Sequence, residues 1–542
     1  MAKIIDKGIG NNDSGYILKM CGLLVVLGIC GLGFALTCQF LAAKCAYGFG
    51  TELRRDLYRH INDLSYSGID RVGTASLVNR LTNDTNTVQN GVNMFIRLAV
   101  RAPFLVIGAA VMAVMIDLRL SLIFFIVAPL ISAVIFLIMK KTIPMYKKNQ
   151  QKLDRASMLT SENLEGTRVI RAFSRQQEEI EEFGEAVNDI ADCSISVGKI
   201  SAILNPVAFV VMNLGIVAIL WFGGIRIDSG SLTQGELTAF TNYMTQILLA
   251  LVVLANLIIV FTKAFASANR IKELFDIPAE EHGTAKSPDG SCDTIVEFRN
   301  VSFAYNGAGD HSLNNISFSL KKGQMLGIIG GTGSGKSTLA SLIPCFYKAV
   351  KGEVLVSGIN VNDYDPDALR KMIGYVPQKS VLFSGTVRDN MKWRCADASD
   401  EDIISALKTA QAWDFVSQKP DILNTQVSQG GKNFSGGQKQ RLSIARALVG
   451  KPDIVILDDS TSALDYATDL ALRKSLKTDL EGTTVIMISQ RTTSLKEADL
   501  ILVMDDGEIV GMGTHDELLN NCSVYMEIYQ SQISEKEGER NV

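Results

Sequence analysis

An all-α, polytopic membrane domain followed by an α/β domain of the P-loop type is what this 542-residue sequence predicts. Long uncharged runs fill the first half and are missing from the second. In the second half a glycine-rich segment stands between an apolar strand pattern and an apolar helix pattern. Composition agrees with such a split. At 47% hydrophobic residues and a mean hydropathy of +0.18, the chain is too apolar for an ordinary soluble protein and too polar for one embedded throughout. A formal net charge of −4 argues against a nucleic-acid partner.

The uncharged runs are Met20–Ala43, Ala102–Ile116, Leu120–Met139, Ser201–Ile225 and Leu237–Thr262. A spanning helix needs ~20 mostly apolar residues, so four of these qualify as they stand. Ala102–Ile116 reaches the length only if Met94–Val100 joins it, with Arg97 and Arg101 near the membrane edge. The lipid bilayer is therefore an expected partner. The nine cysteines (Cys21, Cys30, Cys38, Cys45, Cys193, Cys292, Cys345, Cys395 and Cys522) contain no CxxC pair and read as small hydrophobes without metal or disulfide roles.

Connections between the runs alternate long and short. Within the long ones, 44–101 and 140–200, the segments Gly50–Arg80 and Met145–Glu185 carry apolar residues at helical spacing between charges, and are expected to carry the spans on beyond the membrane. A C-terminal half that binds nucleotide belongs in the cytoplasm, and counting back puts the long connections there too. Five spans would then leave Met1 outside, with no cleavable signal in MAKIIDKGIGNNDSG. This topology leads to the expectation of an upstream membrane helix that the sequence does not contain. The expected organisation is a transmembrane domain over 1–270, a linker over 271–293, a nucleotide-binding domain over 294–530 and a polar tail over 531–542.

The segment GGTGSGKST comprises Gly330, Gly331, Thr332, Gly333, Ser334, Gly335, Lys336, Ser337 and Thr338. It satisfies G-x-x-x-x-G-K-[ST] between the strand pattern Met325–Ile329 and an apolar helix. Glycines let the backbone close around phosphate oxygens, and the helix N-terminus adds its dipole. Lys336 is expected at the β- and γ-phosphates of ATP, and Ser337 on a magnesium ion. Farther on, the apolar strand Asp453–Leu457 delivers Asp458, a candidate magnesium-side carboxylate, and then Asp459. NFSGGQKQRLSIARAL opens with Ser435, Gly436, Gly437 and Gln438 before a basic amphipathic helix. Such a turn can read a second phosphate, and one nucleotide needs only one P-loop, so a site shared between two chains is implied.

Together these motifs resemble the nucleotide-binding domain of an ABC transporter, and the five spans with two long connections resemble the membrane domain of an ABC exporter half-transporter. That resemblance implies an α/β domain of the ABC type and export driven by ATP with Mg2+. It places Tyr305 on the adenine ring, Gln378 at the γ-phosphate and the magnesium ion, and Ser435–Gln438 against the partner's ATP. Ser462–Asp465 matches the loop that communicates across the dimer, and the regions around Gly73–Arg80 and Glu165–Ser174 match the two coupling helices. An integral membrane protein of bacterial plasma-membrane type, with its nucleotide-binding domain cytoplasmic, is implied as well.

Two positions depart from the family. Its glutamate after the magnesium aspartate is here Asp459, and its histidine after the next strand is here Gln490, in VIMISQR. None of His60, His282, His311 and His515 stands where it could substitute. Both departures fall on catalytic positions, so the nucleotide site of this chain is expected to bind Mg-ATP and hydrolyse it poorly. The chain then reads as the degenerate-site subunit of a heterodimeric multidrug-type exporter that moves an unidentified substrate. An ATP-sensing regulatory subunit and a slow homodimeric exporter are the alternatives.

Overall fold

The computed structural model describes residues 2–280, 283–285, 292–305 and 311–540. Contacts divide them into two compact units. One contains the chain up to Asn62 together with Thr74–Ile277, and the other contains Asp63–Gly73 together with Pro278 onward.

In chain order the principal helices before residue 276 are α1 (Ser14–Asn62), α2 (Tyr66–Val72), α3 (Thr74–Ile116), α4 (Leu118–Ala172), α5 (Gln176–Asp228) and α6 (Gln234–Phe275). All but α2 are long and apolar enough to cross a membrane. Each expected run lies inside one of them, and the short run Ala102–Ile116 is the end of α3, joined to the preceding residues through π-helical turns at Phe95–Ala99. Helices are the natural solution here, because lipid offers no partner for a free N–H or C=O. The long connections are helical as their periodicity predicts. The short separate helix between α1 and α3 is α2, whereas residues 74–80 already belong to α3.

Packing in the first unit follows the sequence stripe. Along α4 the buried residues Leu120, Phe124, Val127, Ile131, Ile135 and Met139 recur every three or four positions, which is one helical face. They meet Ala208, Met212 and Ile219 of α5 and Phe240, Met244 and Ile247 of α6. Glycine permits the close approach at Gly215, where a Cβ would stand 3.0 Å from Val127 and 3.2 Å from Met244. The turn into α4 is capped by Asp117, which accepts from Leu120 N–H (2.9 Å) and pairs with Arg226 (2.6 Å). By contrast, the apolar window of α1 buries none of its residues against this chain, so that face is left for lipid or another subunit.

Two larger sheets organise the described residues of the second unit, beside a short two-stranded one at Gly385–Thr386 and Gln426–Val427. An antiparallel sheet has the order β2-β1-β4-β5, from β1 (Thr294–Phe303), β2 (Leu313–Lys321), β4 (Lys351–Val356) and β5 (Ile359–Asn360). The larger sheet contains β3 (Met325–Gly330), β6 (Ile373–Val376), β7 (Ile454–Asp458), β8 (Thr484–Ile488), β9 (Leu500–Asp505) and β10 (Glu508–Gly513), in the order β10-β9-β3-β8-β7-β6. All its pairings are parallel except β9 with β10. Every residue of β7 and β8 is buried, the expected state of central parallel strands covered on both faces. Consequently the C-terminal ends of β3, β8, β7 and β6 lie side by side, which is where open α/β sheets gather their chemistry.

Among the helices of this unit are α7 (Lys336–Leu342), which follows β3, α8 (Gly436–Leu448), which precedes β7, and the closing pair α9 (His515–Asn521) and α10 (Ser523–Arg540). His515, 6% exposed, makes a 2.7 Å Nδ1 hydrogen bond with the Tyr525 hydroxyl and packs on Tyr529. Burial holds its imidazole below the usual range; the Lys496 charge adds to this and Asp516 opposes it. A histidine kept neutral in the fold contributes stability that is present above its unfolded pKa and lost as pH falls through the lower folded value. Between pH 7.5 and 5.5, thermal unfolding of the full chain is expected to shift down more in the wild type than in His515→Gln. Equal shifts would show that this imidazole does not contribute.

Candidate functional site

The P-loop closes because its glycines occupy conformations other residues resist. Gly335 sits at φ +94°, and a Cβ there would come within 2.8 Å of both Leu313 and the Ser312 carbonyl. The loop turns Lys336 inward, where it is 9% exposed. Its ammonium donates to Gly330 O (3.0 Å), to Gly331 O and to Ser334 Oγ (3.2 Å). Burial pushes the Lys336 pKa down, and the charges of Asp459 and Asp458 pull it back up.

Beside it, Ser337 Oγ donates to Asp458 Oδ1 at 2.7 Å. Asp458, 4% exposed, also accepts from the Tyr375 hydroxyl through Oδ2 (3.2 Å). Burial raises the pKa of this carboxyl, and the bonds from Ser337 and Tyr375 oppose the rise. A hydroxyl and a carboxylate this close offer the hard oxygens that magnesium prefers. Among the described residues there is no group of three or more His, Cys, Asp or Glu that could hold a metal ion alone. The residues present therefore fit an ion held by one or two protein oxygens, with nucleotide phosphate and water supplying the rest.

Asp459 follows with φ +43°, a left-handed conformation that aspartate tolerates better than most residues. Its N–H donates to Ile488 O (3.1 Å), its carbonyl accepts from Ser462 Oγ (2.9 Å), and its carboxylate accepts from Gln378 Nε2 (3.4 Å). Burial and the neighbouring Asp458 charge raise its pKa. Gln490, just past β8, is exposed. Tyr305 stands at the end of β1 with its hydroxyl 3.1 Å from Thr338 Oγ1. Beside Tyr305 a cavity of about 620 Å3 is lined by Phe303, Tyr347, Lys348 and Val350 together with Asp70 and Arg71.

Lys336, Ser337, Asp458, Asp459, Gln378 and Tyr305 are thus gathered on one edge of the second unit by direct contacts or adjacent strand ends. Ser435 instead caps α8: it accepts from Gln438 N–H (3.3 Å), and Gln438 Oε1 accepts from Ser435 N–H (3.0 Å). Ser435 and Gly436 are exposed, and a Cβ at Gly436 would meet nothing within 4 Å. Behind them the segment Ser462–Asp465 is tied to α8 through Ala463 N–H, which donates to Gln440 (3.2 Å). His282 lies outside the described residues.

Two contributors were not read from the sequence. Tyr375 interrupts an apolar strand three residues before Gln378, and that interruption was its only local signal. Gln532 of α10 had none. Its amide donates to the Gln490 carbonyl (2.7 Å) and accepts from the N–H and hydroxyl of Thr492 (both 2.9 Å), which anchors the loop after β8.

Membrane-spanning helices joined in one chain to a P-loop unit that also carries an outward-facing Ser-Gly-Gly-Gln helix start define a membrane-embedded nucleotide triphosphatase class. Residues 1–271 match the family described as ABC transporter transmembrane region, and residues 313–462 match the ABC transporter family. The "Uncharacterized ABC transporter ATP-binding protein YfiB" of Bacillus subtilis is 36% identical over 99% of this chain and 94% of its own length. An "ATP-dependent lipid A-core flippase" of Haemophilus influenzae is 30% identical over 98% of this chain and 91% of its own. A bacterial Atm1-family ABC exporter solved with ATP bound shares the fold, with a TM-score of 0.83 at 23% identity over 98% of this chain and 94% of that one. The chain belongs to the ABC transporter family, as an exporter half-transporter in which a membrane domain is fused to the ATPase domain. It is an integral membrane protein, and it couples ATP to export.

Proposed function

We propose that this chain is the ATP-holding subunit of a heterodimeric exporter. Lys336 and the P-loop amides bind the phosphates, Tyr305 supports the base, and Ser337 with Asp458 hold magnesium, which shields phosphate charge when bound. Asp459 then positions water poorly, and Gln490 contacts the γ-phosphate without carrying a proton or a positive charge. Ser435–Gln438 complete the partner's site, where turnover occurs.

The observation that carries this reading is the presence of Asp459 and Gln490 just past the C-terminal ends of the adjacent strands β7 and β8. Exposure of Ser435 and Gly436 supports a shared site, and the unburied span of α1 supports a second half-transporter or lipid as its neighbour. For the cargo we propose an amphipathic molecule taken from the bilayer. An apolar groove of about 590 Å3 between α3 and α4, lined by Met115, Phe124, Phe125 and Pro129, supports that class, as does the name of the Haemophilus relative.

The purified chain, reconstituted alone, is expected to bind Mg-ATP and hydrolyse it slowly. Adding a half-transporter with glutamate and histidine at the corresponding positions is expected to raise both hydrolysis and vesicle flux. Robust turnover by this chain alone would sink the heterodimer reading.

A further inference from the structure

The loop that carries Gln490 is pinned at both ends by the sheet and a neighbouring helix, and in its middle by the C-terminal helix. At its start Ser489 N–H donates to Ile328 O (3.1 Å), which fixes the chain as it leaves β8 beside β3. At its far end the Thr493 carbonyl accepts from Arg473 (3.0 Å) and Ser494 Oγ donates to Asp469 Oδ2 (3.1 Å), both on the helix Tyr466–Asp479. Arg491 N–H stays within the loop and donates to Ser489 Oγ (3.0 Å). Between these points the loop backbone meets the side chain of Gln532 at two places.

Gln532 Nε2 donates to Gln490 O at 2.7 Å, and its Oε1 accepts from Thr492 N–H and Thr492 Oγ1, both at 2.9 Å. A planar amide presents a donor and an acceptor side by side, and here each meets a backbone group of the loop. Thr492 is 1% exposed, so its N–H and hydroxyl need these bonds in place of water. The helix that delivers the amide is itself fixed. Tyr525 is fully buried and bonded to His515, and Ile528 packs against the same core. Residues 525, 528 and 532 are spaced by three and four, which is one helical face. Gln532 therefore stands two turns beyond a buried anchor and on the anchor's side of α10.

We propose that Gln532 is a positioning residue for Gln490, so that the C-terminal helix helps to set the preference of this site for ATP over ADP. Gln490 is exposed, and the reach of its side chain is decided by a backbone that Gln532 holds at residues 490 and 492. A group that is already in place when its ligand arrives loses less freedom on binding. ADP lacks the γ-phosphate, so releasing the loop weakens ATP and spares ADP. The inference rests on the reading of Gln490 as a γ-phosphate contact and deepens it by naming what holds that contact.

The test is a pair of equilibrium titrations of the full chain in lipid nanodiscs, with Mg-ATP and with Mg-ADP, read as the ratio of the two dissociation constants. Gln490→Ala is expected to lower the ATP preference by about tenfold, the effect of one hydrogen bond to a charged group. Gln532→Met keeps the stem and deletes the amide, and is expected to lower the preference about fivefold with ADP affinity within about twofold of wild type. The double variant is expected to match Gln490→Ala alone, because the second substitution acts through a side chain already removed. If Gln490→Ala lowers the preference and Gln532→Met does not, the positioning role is overturned and the γ-phosphate reading stands. If Gln490→Ala leaves the preference unchanged, that reading fails and the proposal falls with it. Equal losses of ATP and ADP affinity in Gln532→Met, or additive losses of preference in the double variant, make Gln532 a support of the fold alone and also overturn it.

Discussion

Asp459→Glu combined with Gln490→His is expected to raise ATP hydrolysis at this chain's own site by about 100-fold, the effect of restoring ~1 Å in the placement of a reacting group. The backbone explains why the protein cannot make up the missing methylene by moving. Asp459 is held on both sides, by its N–H bond to Ile488 and by its carbonyl bond from Ser462. Its carboxylate therefore reaches only as far as its own side chain allows. Gln490 is fixed in the same way, through the bond from Gln532 to its carbonyl. Glutamate at φ +43° costs up to about 1 kcal/mol more than aspartate, which is small beside the expected gain. In the heterodimer reading, the measurement is phosphate release from the assembled complex after the partner's own site has been inactivated. If Mg-ATP binds and release does not increase, these two side chains do not limit hydrolysis at this site.

Lys336→Ala is expected to weaken ATP binding by about 10- to 100-fold, as the loss of a charge-assisted hydrogen bond implies. Lys336 is nearly buried, and its ammonium is shared among the loop's own oxygens. It is therefore already directed into the space the loop encloses and needs little reorganisation to receive an anion. Because removing the aliphatic stem also removes packing, Lys336→Met is the companion variant that keeps the stem and deletes the charge. Titration with a fluorescent ATP analogue reads both, and unchanged affinity in Lys336→Met would remove the phosphates from this loop. In the heterodimer reading the same variant also slows hydrolysis at the partner's site, since the clamp that ATP forms here is lost.

The spans and the P-loop were legible because their signals are local. An apolar run of sufficient length has few alternatives in lipid, and G-x-x-x-x-G-K-[ST] forces one backbone path between a strand and a helix. The strand patterns Met325–Ile329 and Asp453–Leu457 lie within one residue of β3 and β7 at each end. The helical spacing of the long connections was readable for the same reason. The position of α2 was not: the helix lies just before the region the resemblance indicated, and Gly73, at φ +79°, separates it from α3.

What the sequence by itself determined is the pair of units and the identity of the residues that stand at the ends of the central strands. Hydropathy, glycine spacing and strand length act over one turn or one strand, so they can be read along the chain. Only the tertiary structure decided which of those residues meet. It set β8 between β3 and β7, which places the end of the strand before Gln490 against the residue before Asp459. It also joined Tyr375 to Asp458 across 83 positions, Gln532 to Gln490 across 42 and Tyr347 to Asp70 across 277. Such contacts come from sheet order and from the packing of distant segments, and no local pattern encodes them, because each partner would satisfy its own neighbourhood equally well with a different companion.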